Sequence, residues 1–389
     1  MKKFYYCLLS LVILQLCSCV NSAENTDEIH ELDISTPKQV SLDDVFSGLD
    51  VVYMDASIQS YANGVNKLHL CNDKYLIMDY HYDFFVFDKS GHFISSSKSI
   101  RGKGHGEIYI SIGGTYNPYS QNIEIITPTH LKFYDMNFKY VKSVPLPTEH
   151  PNEKNDNTPL FFSEIYDLSD HIHVLLPNED DRCMEKNTLF VFDSEKQEIV
   201  KKISYDEDVM LNTSIQKNPF QDFDEKTNLF FPTGYSKYVY KFDKKNLELH
   251  KYLSFNYGDK FYLPARDNND VREIIKDLSK TKSPKMIWLN TSYDNNRFFI
   301  AAESVDRVNF VYIVDTKTEE VCRFSYNNNG KKQFMRPSCV SENIMYGAFD
   351  SEYIDSLIQA FPGKVTEINK YKADSTVNDN IAVLKYHLK

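Results

Sequence analysis

A short sequence pattern recurs along the chain and constrains its fold more than any other feature. In each copy, an apolar and aromatic run ends in an aspartate that a polar turn follows. Short apolar runs separated by turn residues predict β-strands joined into hairpins. The copies end at Asp88, Asp135, Asp193, Asp243 and Asp315.

The spacing of these copies predicts a repeat architecture. Successive aspartates lie 47, 58, 50 and 72 residues apart, which is irregular but close to the length of a four-stranded propeller blade. The longest gap contains residues 270–280, whose apolar positions recur at helical spacing and predict an inserted helix. A second helical insertion is predicted at Ser351–Phe361, just before Pro362 and Gly363.

Two segments near the chain ends predict how the repeat closes. Leu49–Tyr53 and Ile381–Leu388 are predicted strands without a hairpin partner. Propellers commonly hide such edges by completing one blade with strands from both termini. Five hairpin units and one shared blade therefore predict an all-β fold, a six-bladed β-propeller with small helical insertions, over residues 46–389. The 27 tyrosines and 26 phenylalanines agree with a strand-rich fold.

The start of the chain predicts export and lipid attachment. Lys2 and Lys3 precede an apolar run that is shorter than the ~20 residues of a membrane-spanning helix, so residues 1–18 are predicted to be a signal peptide. The residues before Cys19 resemble the lipobox of bacterial lipoproteins, which implies acylation of Cys19 and a membrane anchor. Because the following segment is polar, residues 19–45 are predicted to form the lipidated cysteine and a flexible tether.

The charge of the chain disfavours a nucleic-acid partner. The formal net charge is −11, and it becomes −13 without residues 1–18, which carry two lysines and no acidic residue. Nucleic acids and anionic lipids are bound by clustered basic residues, and the sequence has no large basic block. Membrane contact is therefore expected through the acyl chains alone, and stable anchoring needs more than one chain.

The four cysteines that follow Cys19 lie far apart in sequence. They form neither the dense framework of small disulfide-rich proteins nor the paired spacing of a zinc site. We expect buried thiols, and the sequence leaves their disulfide status open. These residues are Cys71, Cys183, Cys322 and Cys339.

Three segments together resemble a known family. Tyr75–Asp79, Val86–Ile94 and Arg101–Glu107 are similar to segments of the six-bladed β-propeller lipoproteins of Bacteroidetes, which are related in style to NHL-repeat propellers. The chain departs from that family's pattern at His105, where a proline is usual. The resemblance implies a propeller and an outer-membrane lipoprotein that faces either the periplasm or the outside. It implies little chemistry, because most members have no established activity.

The glycine-rich segment Arg101–Glu107 is a candidate ligand-binding loop. Alternating glycines expose backbone N–H groups that could hold an anion, and Arg101, Lys103 and His105 are the candidate ligand-binding side chains. The glycine spacing and the following predicted strand do not fit a nucleotide site. The alternative interpretation is a structural connection between two blades.

Other candidate residues are expected to have structural roles. His171 and His173 lie on the same face of a predicted strand, but no third metal ligand can be assigned. A solvated or hydrogen-bonded pair is therefore expected, and no metal site is predicted. The repeated aspartates are expected to bind their own turn backbones. Asp79 lies outside that pattern and would be mutated first in a search for activity. We predict no catalytic residue and no cofactor.

These observations favour a lipid-anchored binding or scaffold protein for a glycan, a peptide or a partner protein, rather than an enzyme. Aromatic side chains around a propeller channel could stack on such ligands. One alternative is a carbohydrate-active hydrolase or lyase with carboxylates facing the channel. Another is a non-catalytic subunit of an outer-membrane assembly.

Overall fold

A computed structural model describes most of the chain after residue 28. The predicted signal peptide, Cys19, Cys183 and the helix predicted at residues 270–280 lie outside the described residues. The described ranges are 29–147, 160–177, 187–205, 218–232, 237–259, 286–304, 308–325, 327–328, 331–332, 337–350, 354–359, 361, 363–370 and 380–389.

The strands form six sheets arranged as the predicted six-bladed β-propeller. Before the first repeat lie β1 (His30–Asp33), β2 (Lys38–Gln39), helix α1 (Leu42–Val45) and β3 (Phe46–Tyr53). Blade 1 contains β4 (Lys67–Cys71), β5 (Lys74–Met78), β6 (Phe84–Asp88) and β7 (Phe93–Ser96), followed by a 3-10 helix (Ser97–Ile100). Blade 2 contains β8 (Gly113–Asn117), β9 (Asn122–Ile126), β10 (His130–Tyr134) and β11 (Tyr140–Pro145).

The same four-stranded unit repeats around the ring. Blade 3 contains β12 (Phe162–Asp167), β13 (Ile172–Pro177), β14 (Thr188–Asp193) and β15 (Glu198–Ser204). Blade 4 contains β16 (Phe220–Asp222), β17 (Thr227–Phe230), β18 (Tyr238–Asp243) and β19 (Glu248–Asn256). Blade 5 contains β20 (Met286–Asp294), β21 (Arg297–Ser304), β22 (Asn309–Asp315) and β23 (Val321–Ser325). A small pair, β24 (Asn327–Asn328) and β25 (Lys331–Lys332), follows blade 5.

Blade 6 confirms the predicted closure by both chain ends. It contains β26 (Cys339–Ser341), β27 (Ile344–Asp350), β28 (Val365–Ile368) and β29 (Ile381–Leu388), together with β3. The terminal strand β29 lies between β27 and β3 and is antiparallel to both. The predicted insertion at Ser351–Phe361 contains the short helix α2 (Ile354–Ile358), whose Ile354 and Leu357 are buried.

The predicted tether is wrong from His30 onward. Strand β1 pairs in parallel with the outer strand β19 of blade 4, and β2 pairs in parallel with β23 of blade 5. The segment is polar overall, but Leu32 and Ile34 are buried against these blades, and its backbone groups complete the outer sheet edges. Ser41 and Asp44 then form a capping box at the start of α1. Of the predicted tether, only residues 19–28 lie outside the described residues.

The hydrophobic core consists of six clusters, each between two neighbouring blades. In β5, Tyr75 and Ile77 pack toward blade 6, whereas Leu76 and Met78 pack toward blade 2. Because successive side chains in a strand point to opposite faces, a strand between two neighbours must be apolar on both. This explains why the blade strands are continuous apolar runs and not alternating ones.

The repeated aspartates have the structural role that the sequence predicted. Each lies at the end of the third strand of its blade or directly after it, and its Oδ1 accepts hydrogen bonds from two backbone N–H groups of the next turn. For Asp243 the donors are Lys245 and Asn246. Asp88, Asp135, Asp193 and Asp315 make the equivalent pairs of bonds.

Candidate functional site

A central cavity of about 410 Å³ lies where the innermost strands of the six blades meet. Its lining comes from β4, β8, β12, β16, β20 and β26, or from residues beside them. A volume of ~300–1,000 Å³ with a few polar groups is typical of small-molecule sites. We call this cavity the central channel.

Bonds between non-adjacent blades cross the central channel where the innermost strands begin. Lys67 at the start of β4 donates a 2.6 Å hydrogen bond from Nζ to Oε2 of Glu164 in β12, and so connects blade 1 to blade 3. Asn218, just before β16, donates from Nδ2 to the carbonyl oxygen of Ser338, just before β26. This second bond connects blade 4 to blade 6. The channel is therefore narrowed at this end.

The other end of the channel carries exposed aromatic and acidic side chains. Tyr119, which follows β8, is 53% exposed, and Asp222 at the end of β16 is also exposed. The Tyr166 hydroxyl donates to Oδ1 of Asp222, and the Tyr166 ring stacks on Phe220 at 4.9 Å between ring centroids. We call this end the channel mouth. Its aromatic rings and carboxylates can stack on a ligand and accept hydrogen bonds from it.

A buried group of three ionisable residues adjoins the channel wall. Asp167, which lines the channel, and Glu124 of β9 both face His173 of β13. Their potential ligand atoms all lie within 4.8 Å of one another, and the three side chains are at most 2% exposed. His173 Nδ1 is 2.7 Å from Asp167 Oδ1 and 3.1 Å from Glu124 Oε2. We call these three residues the buried triad.

Neighbouring side chains hold the buried triad in place. On the other side of the His173 ring, Nε2 lies 3.0 Å from the hydroxyl of Ser194, which itself donates to the carbonyl oxygen of His171. Asn117 donates from Nδ2 to Glu124 Oε1 at 2.8 Å. Glu124 Oε2 and Asp167 Oδ2 are buried and have no hydrogen-bond partner among the described residues.

The environment of the buried triad shifts the pKa of Asp167 and of His173. Burial and the neighbouring Glu124 carboxylate raise the pKa of Asp167, because the charged form is poorly solvated and repelled. Burial alone would lower the pKa of His173, but the hydrogen bond to Asp167 and the adjacent Glu124 carboxylate outweigh it and raise that pKa to about 9. Without a bound cation, the imidazole is therefore protonated at neutral pH.

The sequence prediction missed two of the three triad residues. It singled out His173 but paired it with His171, which lies before β13 begins and contacts Asp170 instead. The two histidines therefore do not share a site. Glu124 had a detectable signal, because it stands between Ile123 and Ile125 in an otherwise apolar strand. A carboxylate in such a strand must find a partner inside the fold.

The glycine-rich segment Arg101–Glu107 connects blade 1 to blade 2. The Arg101 guanidinium binds Oδ1 of Asp83, with Nη2 at 2.7 Å. Lys103 Nζ lies 4.5 Å from the centroid of the Tyr109 ring, and the His105 ring is 4.9 Å from that of Tyr140.

Gly102 leaves room for the acidic end of this loop to fold back over it. Glu107 Oε2 accepts a hydrogen bond from the Gly104 N–H, and a Cβ at Gly102 would overlap that carboxylate. A carboxylate therefore occupies the position of an anion on this loop. A separate cavity of about 300 Å³, lined by Lys103, Tyr109 and His130 among others, adjoins the loop. Ligand binding by Arg101, Lys103 and His105 stays a prediction.

Asp79 has a structural environment in the turn after β5. Its carboxylate accepts hydrogen bonds from the backbone N–H groups of Asn63, His81 and Asp83, and its side chain is buried. It does not line the central channel. The carboxylates that do are Asp167, Asp222 and Asp294.

The described cysteines are free thiols. Cys71 is buried, as predicted, whereas Cys322 and Cys339 are half-buried. Burial raises the pKa of Cys71 and of Cys339 to about 12, which leaves both protonated and unreactive at neutral pH. Among the described residues, no helix has the length and apolar character needed to cross a membrane.

Comparisons with known proteins support the architecture. A family model described as "Domain of unknown function (DUF4934)" matches residues 26–387. A Bacteroides fragilis protein named for its predicted export superposes with a TM-score of 0.67 at 15% identity, over 92% of this chain and 99% of that one. A member of the DUF4221 family from Bacteroides vulgatus superposes with a TM-score of 0.53 at 13% identity, over 88% and 98%. No protein among those with curated descriptions matches the chain.

Proposed function

The chain belongs to the DUF4934 family, and we propose that it is an exported, lipid-anchored binding protein that holds its ligand at the mouth of the central channel. The observation that supports this most directly is the channel itself. It combines a volume of about 410 Å³ with lining residues from all six blades, and aromatic rings meet acidic and amide groups at its mouth. Aromatic faces beside hydrogen-bonding groups suit a glycan best, and a peptide segment or partner-protein loop next.

The proposed anchor would hold the channel mouth toward the membrane. Strand β1 runs parallel to β19, and His30 Nε2 lies 3.4 Å from Glu319 Oε1 in the turn after the third strand of blade 5. Such turns lie at the same end of the blades as the channel mouth. Cys19 and His30 are eleven positions apart, a length of chain that can span at most ~40 Å. The ligand would then reach the mouth from the membrane-facing side.

Binding can be tested with purified protein that lacks residues 1–19, on a glycan array and then by calorimetry with any glycan that binds. Tyr119→Ala and Asp222→Asn should each weaken binding at least tenfold, because both side chains lie at the mouth. Tyr80→Ala is the matched control, since Tyr80 is 62% exposed in the turn after β5 and does not line the channel. Equal losses for Tyr119→Ala and Tyr80→Ala would contradict channel binding.

The same measurement decides between the channel and the glycine-rich loop. Lys103→Ala and His105→Ala should leave binding unchanged if the ligand occupies the channel mouth. If these two variants lose binding and Tyr119→Ala does not, the loop is the ligand site. A protein captured from membranes at fixed stoichiometry, with no glycan bound on the array, would instead favour the role of a subunit in an outer-membrane assembly.

A hydrolase function has one observation in its favour, because Asp222 and Asp294 both line the channel. Glycosidases need two carboxylates on either side of the scissile bond. Any glycan that binds should therefore also be incubated with the protein and checked for cleavage. Turnover that Asp222→Asn or Asp294→Asn abolishes, while binding persists, would identify an enzyme.

Lipid attachment and orientation need a separate experiment on cells. We propose Cys19 as the acylated residue, so labelled palmitate should be incorporated into the native chain and not into Cys19→Ala. Protease treatment of intact cells would then remove the protein if it faces outward and spare it if it faces the periplasm. Absence of label from the native chain would contradict the anchor without affecting the channel proposal.

A further inference from the structure

We propose that the buried triad of Glu124, Asp167 and His173 is a binding site for a first-row divalent cation such as Zn²⁺ or Mn²⁺. Three potential ligands from three different strands converge there: a carboxylate oxygen from Glu124, one from Asp167, and His173 Nδ1. One imidazole nitrogen and two carboxylate oxygens form a donor set that suits such cations.

Two buried oxygens with too few partners point to a missing ligand. Asp167 Oδ2 has no hydrogen-bond partner among the described residues, and Glu124 Oε2 has only the ion-pair contact of 3.1 Å with His173 Nδ1, although both side chains are at least 98% buried. A buried carboxylate oxygen that lacks a partner is costly, and a bound ion is one way in which proteins satisfy such an oxygen. In the described part of the chain, His173 is the sole basic group that forms an ion pair with either carboxylate.

Charge balance leaves two ways to stabilise the triad. Two carboxylates need two positive charges in a site that excludes water. In the first arrangement two protons supply these charges: one protonates the His173 imidazole, and the other is shared between the two carboxyl groups. In the second arrangement one divalent cation supplies both charges, and the His173 imidazole is neutral with its proton on Nε2.

The surroundings of the triad fit the second arrangement. With the proton on Nε2, the imidazole donates to the Ser194 hydroxyl, and Ser194 donates onward to the carbonyl oxygen of His171. Nδ1 then faces the two carboxylates as a bare ligand. Asn117 orients Glu124 through Oε1 and leaves Oε2 directed to His173. Metal sites are commonly ordered by such outer hydrogen bonds to the ligating histidine and carboxylate.

Metal binding would move the ligand atoms of the triad slightly apart. Two donors ~2.1 Å from a tetrahedral metal lie ~3.4 Å apart. The separations of 2.7 and 3.1 Å from Nδ1 to the two carboxylates must therefore widen by about 0.7 and 0.3 Å. Asp167 also lines the central channel, which provides a route for the ion.

Metal content and thermal stability test the site directly. Protein purified without chelators or a histidine tag should retain up to one equivalent of metal by mass spectrometry. Removal of the metal should lower Tm, and Zn²⁺ or Mn²⁺ should restore it while Mg²⁺ does not. Glu124→Gln should abolish the shift, because it removes a charge but keeps the acceptor for Asn117. His171→Gln is the matched control, since His171 forms a half-exposed pair with Asp170 nearby.

A second measurement, on the native chain, tests the metal site even if Glu124→Gln does not fold. In protein labelled with ¹⁵N-histidine, Zn²⁺ should convert one buried imidazole from the doubly protonated form to a form with a proton on Nε2 alone. If Zn²⁺ leaves both the ring nitrogens and Tm unchanged, two protons occupy the triad and the proposal is wrong. If His171→Gln abolishes the Tm shift while Glu124→Gln retains it, the ion binds at the surface, and the proposal is wrong as well.

Discussion

The ion pair between Lys67 and Glu164 is expected to contribute measurably to the thermal stability of the propeller. The two side chains are 5% and 13% exposed, and the Nζ to Oε2 distance is 2.6 Å. Removing one partner of a buried pair leaves an unpaired charge and typically costs ~3–5 kcal/mol. With an unfolding entropy of ~2.1 cal/mol/K per residue and a propeller of about 345 residues, that loss corresponds to a fall in Tm of ~4–7 °C.

Single and double variants separate the charge effect from simple loss of contact. Lys67→Met and Glu164→Met should each lower Tm by that amount. The double variant should recover most of the loss, because two apolar side chains of similar volume leave no buried charge. The coupling energy of the cycle should then exceed ~2 kcal/mol. Calorimetry at low and at high salt provides the measurement, and a buried pair should respond little to salt.

The matched control is Lys364→Met. Lys364 pairs with Asp43 at 2.7 Å, also across a long sequence separation, but the side chains are 36% and 69% exposed. Exposed pairs contribute ~0–1 kcal/mol, so Tm should fall by less than ~1.5 °C. Equal effects of Lys67→Met and Lys364→Met, or single losses that simply add in the double variant, would refute the reasoning that this pair is buried and coupled.

Two further predictions concern glycine packing and turn acidity. Gly113→Ala should destabilise the protein by ~1–3 kcal/mol, because the added Cβ would overlap the carbonyl oxygen of Ser163. Gly48→Ala is the control and should change Tm little, because the added Cβ would meet nothing closer than 3.4 Å. Backbone N–H groups hold the pKa of Asp243 below its usual range, so this aspartate stabilises the fold above about pH 4 and less as pH falls. In Asp243→Asn, Tm should therefore fall less steeply as the pH is lowered below about 4 than it does in the native protein. An equally steep fall in both proteins would show that Asp243 does not stabilise the fold in this way.

Local sequence carried enough information to predict the blades. The hairpin strands and the turn aspartates are specified within a few residues, as in the run Phe84–Asp88 and its turn. The closure was predictable for the same reason, since Ile381–Leu388 is an apolar strand with no local partner. Both faces of such a strand must be covered, and only another part of the ring can cover them.

The sites were not predictable because their residues meet only when the ring closes. Lys67 and Glu164 are 97 positions apart in sequence and in non-adjacent blades. Their contact depends on how far each innermost strand lies from the axis. The buried triad likewise joins blade 2 to blade 3, and although Glu124 stands out in an apolar strand, its sequence neighbours do not indicate that it meets Asp167 and His173. Sequence spacing reports contacts within a blade and not contacts between blades.

The N-terminal segment shows why composition alone misjudged where the fold begins. Polar composition predicts disorder when a segment must bury its own core, but β1 and β2 join sheets that already exist. Each adds backbone hydrogen bonds along an outer strand that would otherwise be an exposed edge. The outer strands of blades 2 and 3 instead carry lysines, namely Lys142, Lys201 and Lys202, which discourage pairing with another chain. Strands β1 and β2 therefore also protect the outer edges of blades 4 and 5.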